Sequence, residues 1–212
     1  MVLGLTGGMG CGKSTALRFF AELGWSTLDS DRIVREEVLH EPAVVAAIVA
    51  RWPEGLDAAG SIGSRQPSSG PQAGALMRAA LAARVFADGN AAAEDLRWLE
   101  ELVLPRVLAR WRTALDAEPA AYWVIEAPLL FEKNLEKWFD FTVCVAASSP
   151  SQLARLTERG FAPALAGQRI SRQFPLAKKI EFADFVLSND GSPEALRRQV
   201  ALLATRLGVA RY

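Results

Sequence analysis

The segment of the chain best suited to chemistry is a run of glycines that ends in a lysine and a serine. Residues 7–14 read Gly-Gly-Met-Gly-Cys-Gly-Lys-Ser and match the pattern G-x-x-x-x-G-K-S/T without a mismatch. Glycines let backbone N–H groups close around phosphate oxygens, and the N-terminus of a following helix adds partial positive charge. We therefore predict a phosphate-binding loop; the alternative is a glycine turn that only joins a strand to a helix.

The side chains of this loop predict how ATP and Mg²⁺ are bound. Lys13 is expected to reach the β and γ phosphates, and the Ser14 hydroxyl to coordinate Mg²⁺. The other expected ATP contacts in the segment are Gly8, Gly10, Cys11, Gly12, Thr15 and Ala16. The Cys11 thiol has two interpretations: a group whose pKa is lowered at a helix N-terminus, or a small residue that fills a small position.

Two carboxylates, Asp29 and Asp31, follow a second short apolar run. In an open α/β sheet the carboxyl ends of the strands border the ligand crevice. Asp31 is a candidate to accept or orient the proton of an attacking hydroxyl, or to hold a Mg²⁺-bound water, with Asp29 as its supporting partner. The alternative for Asp31 is a cap on the next helix, and the local sequence leaves both interpretations open.

Four arginines follow in the C-terminal third of the chain. Arg155 and Arg159 are four residues apart and share one face of a predicted helix, and Arg169 and Arg172 come next. Phosphoryl transfer needs cations that offset the charge of the transition state, and arginine supplies a rigid fork of donors. We predict a lid over residues 160–175, with scattered surface arginines as the alternative.

The substrate wall is predicted at the end of a third apolar run, where residues 122–126 read Tyr-Trp-Val-Ile-Glu. In proteins with such a phosphate-binding loop, the strand that helps to bind Mg²⁺ usually ends in Asp, so a metal role for Glu126 stays open. Pro128, Leu129 and Leu130 come next and suit a wall against the substrate, with ordinary core packing as the alternative.

A polar turn, Asn189-Asp190-Gly191-Ser192, ends the last predicted strand. Such a turn would bring the Asn189 amide and the backbone of Gly191 near the edge of an adenine. A simple Asp-Gly turn before the final helix is the alternative.

Short apolar runs alternate with helical patterns along the chain, and these are the elements that must position the candidate residues. The predicted strands are Val2–Thr6, Ser26–Leu28, Tyr122–Glu126, Phe141–Ala146 and Phe185–Ser188. The predicted helices are Ser14–Leu23, Asp31–Leu39, Pro42–Trp52, Ala75–Ala87, Ala92–Leu115 (kinked or divided at Pro105), Pro150–Arg159 and Pro193–Leu207. Strands separated by long helical segments imply an α/β fold with a parallel sheet flanked by helices.

Composition excludes several classes of protein. The 212 residues fit a single domain, and the formal net charge of zero argues against a nucleic-acid partner. From residue 151 onward, however, ten basic residues stand against five acidic ones. We expect no membrane span and no signal peptide, and two distant cysteines, Cys11 and Cys144, favour the cytoplasm. We expect a monomer.

In this order, the motifs resemble those of the dephospho-CoA kinase family. The matching segments are residues 4–10 with Lys13-Ser14-Thr15, Asp29 and Asp31, residues 84–88, residues 98–100, residues 128–132, residues 152–159, Gln173, Lys179, residues 183–184, Asn189 and Gly191. The resemblance implies a P-loop kinase fold and transfer of the γ-phosphoryl group of ATP to the ribose 3′-hydroxyl of dephospho-CoA. It implies that Asp31 is the catalytic carboxylate, that Arg155 lies near the transferring phosphate, that Arg159 binds ATP and that Arg84 contacts the acceptor.

The resemblance also predicts the division of the chain. Core segments 1–30, 117–150 and 183–212 are expected to bind ATP, residues 31–116 to form a helical part that binds the acceptor, and residues 151–182 to form the lid. Two departures lie on the acceptor side: Leu104 stands where the family usually has histidine, and residues 61–77 are longer and richer in Gly, Ser and Pro than usual. Another small-molecule P-loop kinase with a reshaped pocket is therefore the alternative. A third hypothesis is a regulator that binds nucleotide without catalysis. The presence of four candidate catalytic and ATP-binding residues argues against it: Lys13, Ser14, Asp31 and Arg155.

Overall fold

A computed structural model describes residues 1–52, 80–85, 87, 89–162, 167, 170 and 174–208. Several predictions fall outside the described residues: the Gly/Ser/Pro-rich stretch 61–77, Arg169 and Arg172 of the expected lid, and Gln173.

Five parallel strands form the sheet, as the sequence predicts. They are β1 (Val2–Gly7), β2 (Ser26–Asp29), β3 (Trp123–Glu126), β4 (Phe141–Ala146) and β5 (Phe185–Ser188), in the order β2-β3-β1-β4-β5. The central strand β1 pairs Leu5 with Glu126 of β3 and with Val143 of β4. It is almost wholly buried, as its continuous apolar sequence predicts for a strand covered on both faces.

Helices occupy both the predicted segments and one segment that the sequence did not reveal. They are α1 (Lys13–Glu22), α2 (Ser30–Glu36), α3 (Pro42–Arg51), α4 (Asn90–Ala117), α5 (Ser149–Glu158), α6 (Leu176–Phe182) and α7 (Pro193–Arg206). Residues 80–85 are also helical, inside the predicted segment 75–87. The unpredicted helix is α6, which is too short for its apolar periodicity to stand out. Among the described helices none is long and apolar enough to cross a bilayer.

Two predicted helices differ from the structure. The segment 31–39 is not one helix, because α2 ends at Glu36 and a separate 3₁₀ turn follows at Val38–His40. The long helix is not divided at Pro105, since α4 runs through that residue as one helix. A proline inside a helix removes only one backbone hydrogen bond, and a helix of this length keeps many others.

The described chain forms two compact units, residues 1–30 with 117–212 and residues 31–116. The first unit has a core of apolar side chains from β1, β3, β4, α1 and α7, among them Leu5, Phe20, Val143 and Leu196. Helices α5 and α7 each begin at a serine cap, where Ser148 Oγ accepts from Ser151 N–H and Ser192 Oγ from Ala195 N–H.

Candidate active site

The carboxyl edge of the sheet collects most of the predicted site residues in the first unit. The glycine loop follows β1, Asp29 ends β2 and Glu126 ends β3. Asp29 and Glu126 are register partners in the parallel pair of β2 and β3. Because parallel strands end at one edge, groups far apart in the sequence meet there, where α/β proteins bind their ligands.

Two glycines give the loop a backbone path that other residues rarely follow. Gly10 has φ of +77° and Gly12 has φ of +96°, both in the left-handed region. Gly12 is the residue before α1, and its carbonyl accepts from Thr15 N–H at 3.1 Å and Ala16 N–H at 3.0 Å. The helix therefore starts directly at the loop, so its positive N-terminal end faces the predicted phosphate site. Ala16 itself has a fully buried side chain, which excludes a side-chain contact with ATP.

Close packing also requires these glycines. A Cβ on Gly8 would lie 2.9 Å from Gln152 Oε1, and a Cβ on Gly10 would lie 2.8 Å from the Gln152 carbonyl oxygen. A Cβ on Gly12 would overlap the amide nitrogen of Asn189. Gln152 is buried, and its Nε2 donates to the Ala147 carbonyl at 2.9 Å. Sequence reasoning noted Gln152 only within the family resemblance, because its role depends on the packing of α5 against the loop.

Lys13 and Ser14 both meet Glu126. The Lys13 ammonium lies 3.9 Å from Glu126 Oε1 and donates to the Gly8 carbonyl at 3.2 Å, while Ser14 Oγ donates to Glu126 Oε2 at 3.3 Å. The Glu126 side chain is 5% exposed and that of Lys13 12%, so water screens the pair only weakly. The Glu126 side chain thus reaches the loop from the end of β3.

The oxygens of Ser14 and Glu126 fit a magnesium site. Mg²⁺ prefers oxygen ligands and is usually held by one or two protein groups, with waters and substrate phosphates completing its shell. A hydroxyl and a carboxylate oxygen 3.3 Å apart beside the loop provide that donor set.

Asp31 lies in the first turn of α2 and is exposed. Asp31 is therefore part of the helix and not the cap that precedes it, and its negative charge stabilises the N-terminal end of the helix. The preceding residue, Ser30, is buried, and its hydroxyl donates to the Glu126 carbonyl oxygen. Asp31 opens the unit of residues 31–116, whereas Asp29 and Ser30 belong to the first unit.

Only part of the predicted substrate wall, residues 128–130, is accessible to a substrate. Pro128 and Leu129 are half-buried, but Leu130 is fully buried and packs toward Gly4 of β1. Leu130 is therefore a core residue, as the alternative for this turn expected. The turn is held by Lys179 of α6, whose ammonium lies 2.6 Å from the Pro128 carbonyl and 2.7 Å from Glu132 Oε1.

Arg155 and Asn189 contact the glycine loop from two different elements. Arg155 donates from Nη1 to the Gly10 carbonyl at 3.2 Å and from Nη2 to the Asn189 carbonyl at 2.6 Å. The Asn189 amide nitrogen donates to the Cys11 carbonyl at 2.7 Å. The Asn189 side chain thus binds the loop backbone through its nitrogen, and its place at an adenine edge stays a prediction.

The two other residues predicted near the nucleotide, Arg159 and Gly191, are exposed. Arg159 ends α5 just beyond its last turn, one helical turn after Arg155. Gly191 lies in the turn before α7, where a Cβ would meet only an ordinary contact with Ala195. Neither position requires its residue type for the fold of the described chain.

The Cys11 thiol is a buried group, and the interpretation with a lowered pKa is wrong. Burial raises the pKa of Cys11, and it raises that of Cys144 to about 12. Lys13 and Arg155 act in the opposite direction on Cys11 but are outweighed by burial. Both thiols are free and fully buried, so Cys11 fills a small space beneath the loop.

Arg84, predicted to contact the acceptor, is tied down within the second unit. Its Nε donates to Asp95 at 2.9 Å, and its guanidinium lies 5.0 Å from the centre of the Trp52 ring. Arg51 binds the other Asp95 oxygen at 3.2 Å, and the two arginines hold the pKa of that carboxyl below its usual range against the opposing effect of desolvation. The Arg84 side chain is 39% exposed, so part of it is accessible to a ligand.

Comparisons with known proteins agree with this architecture. The family model for dephospho-CoA kinase matches residues 1–194. A dephospho-CoA kinase of Gloeobacter violaceus is 36% identical over 94% of this chain and 89% of its own length. One of Thermosynechococcus vestitus is also 36% identical, over 97% and 94%. The crystal structure of TT1252 from Thermus thermophilus has a TM-score of 0.76 and 30% identity, with 98% of this chain and 97% of that chain covered.

Proposed function

Because the chain belongs to the dephospho-CoA kinase family, we propose that it transfers the γ-phosphoryl group of ATP to the ribose 3′-hydroxyl of dephospho-CoA, giving coenzyme A and ADP. The observation that carries this proposal is the meeting of Lys13 and Ser14 with Glu126 at the mouth of the glycine loop. That arrangement provides a cation for the phosphates and oxygen ligands for a metal in one place.

ATP binding is assigned to the loop and its helix. The backbone from Gly8 to Gly12 surrounds the phosphates, Lys13 neutralises charge on the β and γ groups, and Thr15 binds a further oxygen. Arg155, held 3.2 Å from the Gly10 carbonyl, adds positive charge beside them. Ser14 and Glu126 would hold Mg²⁺, and the metal supplies charge stabilisation for the developing phosphate oxygens.

Asp31 is assigned to the acceptor hydroxyl. An exposed carboxylate at the start of α2, directly after the anchored Ser30, can accept the proton that the hydroxyl releases or orient that hydroxyl for attack. The family resemblance assigns Pro128, Leu129 and Arg84 to the acceptor as well: Pro128 and Leu129 are half-buried apolar residues, and a partly exposed arginine suits phosphate groups. Residues 31–116 form the acceptor-binding part and residues 151–182 the lid.

The acceptor is tested by coupled release of ADP. Dephospho-CoA is compared with shikimate, gluconate and nucleoside monophosphates, each at saturating ATP and Mg²⁺. We expect turnover with dephospho-CoA and none above background with the others. Turnover only with another acceptor would assign the chain to a different small-molecule kinase, with the pocket reshaped around Leu104 and residues 61–77.

The role of Asp31 is tested by Asp31→Asn. The amide keeps the shape and loses the base, so kcat should fall by roughly 10² to 10⁴-fold while the KM for ATP stays within about twofold. Glu36→Gln makes the same chemical change at the exposed last residue of α2 and should leave kcat unchanged. A near-wild-type kcat for Asp31→Asn would refute the assignment of the base.

The compartment and the oligomeric state of the enzyme are proposed as well. Both cysteines are free and buried, as expected in a reducing compartment, which supports the cytoplasm. We propose a monomer, which light scattering at micromolar concentration tests directly: a mass near 46 kDa, about twice the 23.0 kDa of one chain, would contradict it.

A further inference from the structure

Four carbonyls of the glycine loop, those of Gly8, Gly10, Cys11 and Gly12, accept hydrogen bonds from protein donors. The Gly8 carbonyl accepts from Cys11 N–H and from Lys13 Nζ, both at 3.2 Å, and the Gly12 carbonyl accepts from the first turn of α1. Two of the three carbonyls between them are bound by side chains from outside the loop. Arg155 of α5 binds that of Gly10, and Asn189 after β5 binds that of Cys11.

In contrast to these carbonyls, several N–H groups of the same segment have no protein acceptor among the described residues. Among the residues that the structure describes, no acceptor is recorded for the N–H groups of Gly10, Gly12, Lys13 and Ser14. Unpaired N–H groups at the start of a helix are suited to bind anions. Four loop carbonyls are thus bound to protein donors, and these N–H groups point to no protein acceptor and can bind a ligand.

The hydrogen bond from Asn189 acts on one particular peptide unit. In a planar trans peptide the carbonyl of one residue and the N–H of the next point in opposite directions. The peptide between Cys11 and Gly12 therefore directs the Gly12 N–H away from Asn189 as long as the Cys11 carbonyl is held. Gly12 has no Cβ and adopts many backbone conformations readily, so this peptide would rotate easily without an anchor.

Asn189 is itself firmly held. It is 7% exposed, its N–H donates to the Ala146 carbonyl at 2.7 Å, and its own carbonyl accepts from Arg155 at 2.6 Å. Arg155 thereby joins the Gly10 carbonyl to the backbone of Asn189. The side-chain amide fits against Gly12 so closely that a methyl group there would displace it.

We propose that Asn189 is a positioning residue for phosphate binding: its amide holds the Cys11 carbonyl outward so that the Gly12 N–H faces the phosphates of ATP. The proposal rests on ATP binding in the loop, but not on the identity of the acceptor. Rotation of this peptide would remove one donor from the phosphates and present a carbonyl oxygen to them. Asn189 therefore acts on the phosphates through the loop and not on the adenine.

A ligand without a base separates these two roles. Binding of Mg²⁺-ATP, Mg²⁺-GTP and Mg²⁺-tripolyphosphate is measured by calorimetry for the wild type, Asn189→Leu and Asn189→Asp. Loss of one hydrogen bond to a charged group predicts that both variants bind ATP about tenfold more weakly. Tripolyphosphate should weaken by the same factor, and the ratio of ATP to GTP affinity should not change.

Gln199→Leu is the matched control. Gln199 also uses its amide to bind backbone at the end of β5, since its Nε2 donates to the Ser188 carbonyl at 2.8 Å and its Oε1 accepts from Ser188 N–H at 2.9 Å. It does not touch the loop, so affinity for all three ligands should stay at the wild-type value. Far-UV circular dichroism checks that each variant is folded, and Asn189→Asp, which is nearly isosteric, covers the case in which Asn189→Leu is not.

Three results would overturn the proposal. The first is loss of ATP affinity with unchanged tripolyphosphate affinity and a changed ATP to GTP ratio, which would return Asn189 to the adenine. The second is unchanged affinity for every ligand, and the third is a wild type that binds ATP but not tripolyphosphate. All are independent of the acceptor panel, so failure of the dephospho-CoA assignment would leave this test standing.

Discussion

Replacing Lys179 by methionine should destabilise the protein strongly, because this lysine is 1% exposed and carries a charge. Its ammonium binds Glu132 Oε1 at 2.7 Å and the Pro128 carbonyl at 2.6 Å. Methionine has a similar length but no charge and no donor. Lys179→Met therefore leaves the Glu132 carboxylate, whose Oε2 already has no partner among the described residues, without its cation.

The magnitude follows from the burial of the pair. Removing one partner of a buried ion pair costs about 3–5 kcal/mol, since the remaining charge stays buried and uncompensated. The Glu132 side chain is 18% exposed, which favours the lower end, about 3 kcal/mol. With a urea dependence of about 3 kcal/mol per molar, the midpoint of unfolding should fall by about 1 M.

Urea unfolding followed by tryptophan fluorescence and circular dichroism measures this change. The matched control is Lys178→Met, the same substitution one residue earlier on α6. Lys178 pairs with Glu181 at 2.8 Å, but both side chains are more than half exposed, so the expected cost is below about 0.5 kcal/mol. The double variant Lys179→Met with Glu132→Leu should recover to within about 1 kcal/mol of the wild type, because it removes both charges.

The reasoning fails if Lys179→Met costs less than about 1 kcal/mol, or no more than Lys178→Met. It also fails if the double variant is as unstable as the single one, because the loss would then come from packing and not from the stranded Glu132 charge.

The remaining predictions concern the glycine loop and the thiols. Gly12→Ala should abolish measurable ATP binding, because its φ of +96° and the amide of Asn189 both oppose a Cβ. The control Gly24→Ala also has a positive φ, +86°, but open space around it, so it should lower stability by only about 1–2 kcal/mol and keep ATP binding. Equal ATP affinity in the two variants would contradict this prediction. Burial raises the pKa of Cys144 to about 12, so its contribution to stability is complete below the unfolded pKa of about 8.5 and is lost as pH rises toward 12. Between pH 7 and pH 10 the wild type should therefore lose about 2 kcal/mol more than Cys144→Val in urea unfolding, and parallel pH curves would show the thiol to be irrelevant.

Local sequence was enough to predict the sheet and the loop. The strands Phe141–Ala146 and Phe185–Ser188 agree with the structure to the residue, since short apolar runs between helical patterns have few other solutions. The glycine loop is confirmed as a turn between β1 and α1 with left-handed glycines at 10 and 12. The strands and the loop are determined by residues close together in the sequence, so local patterns are enough to predict them.

Contacts between distant segments were not predictable in the same way. The contact of Glu126 with Ser14, the burial of Leu130 and the raised pKa of Cys11 all depend on which strands and helices pack together. The same is true of α6, since the burial of Lys179 depends on the packing of that helix. The burial of a side chain and the identity of its contact partners are determined by the packing of the whole unit and not by the local sequence.

The sequence by itself determined that this chain has a phosphate-binding loop and a parallel sheet to carry it, because spacing and periodicity are local. Only the tertiary structure decided how that loop is held. Gly12 and Asn189 are 177 positions apart, yet the fit of one amide against one missing side chain explains both residues. Such a fit arises only when β1 and β5 end at the same edge, since a hydrogen bond of 2.7 Å tolerates no error in their placement.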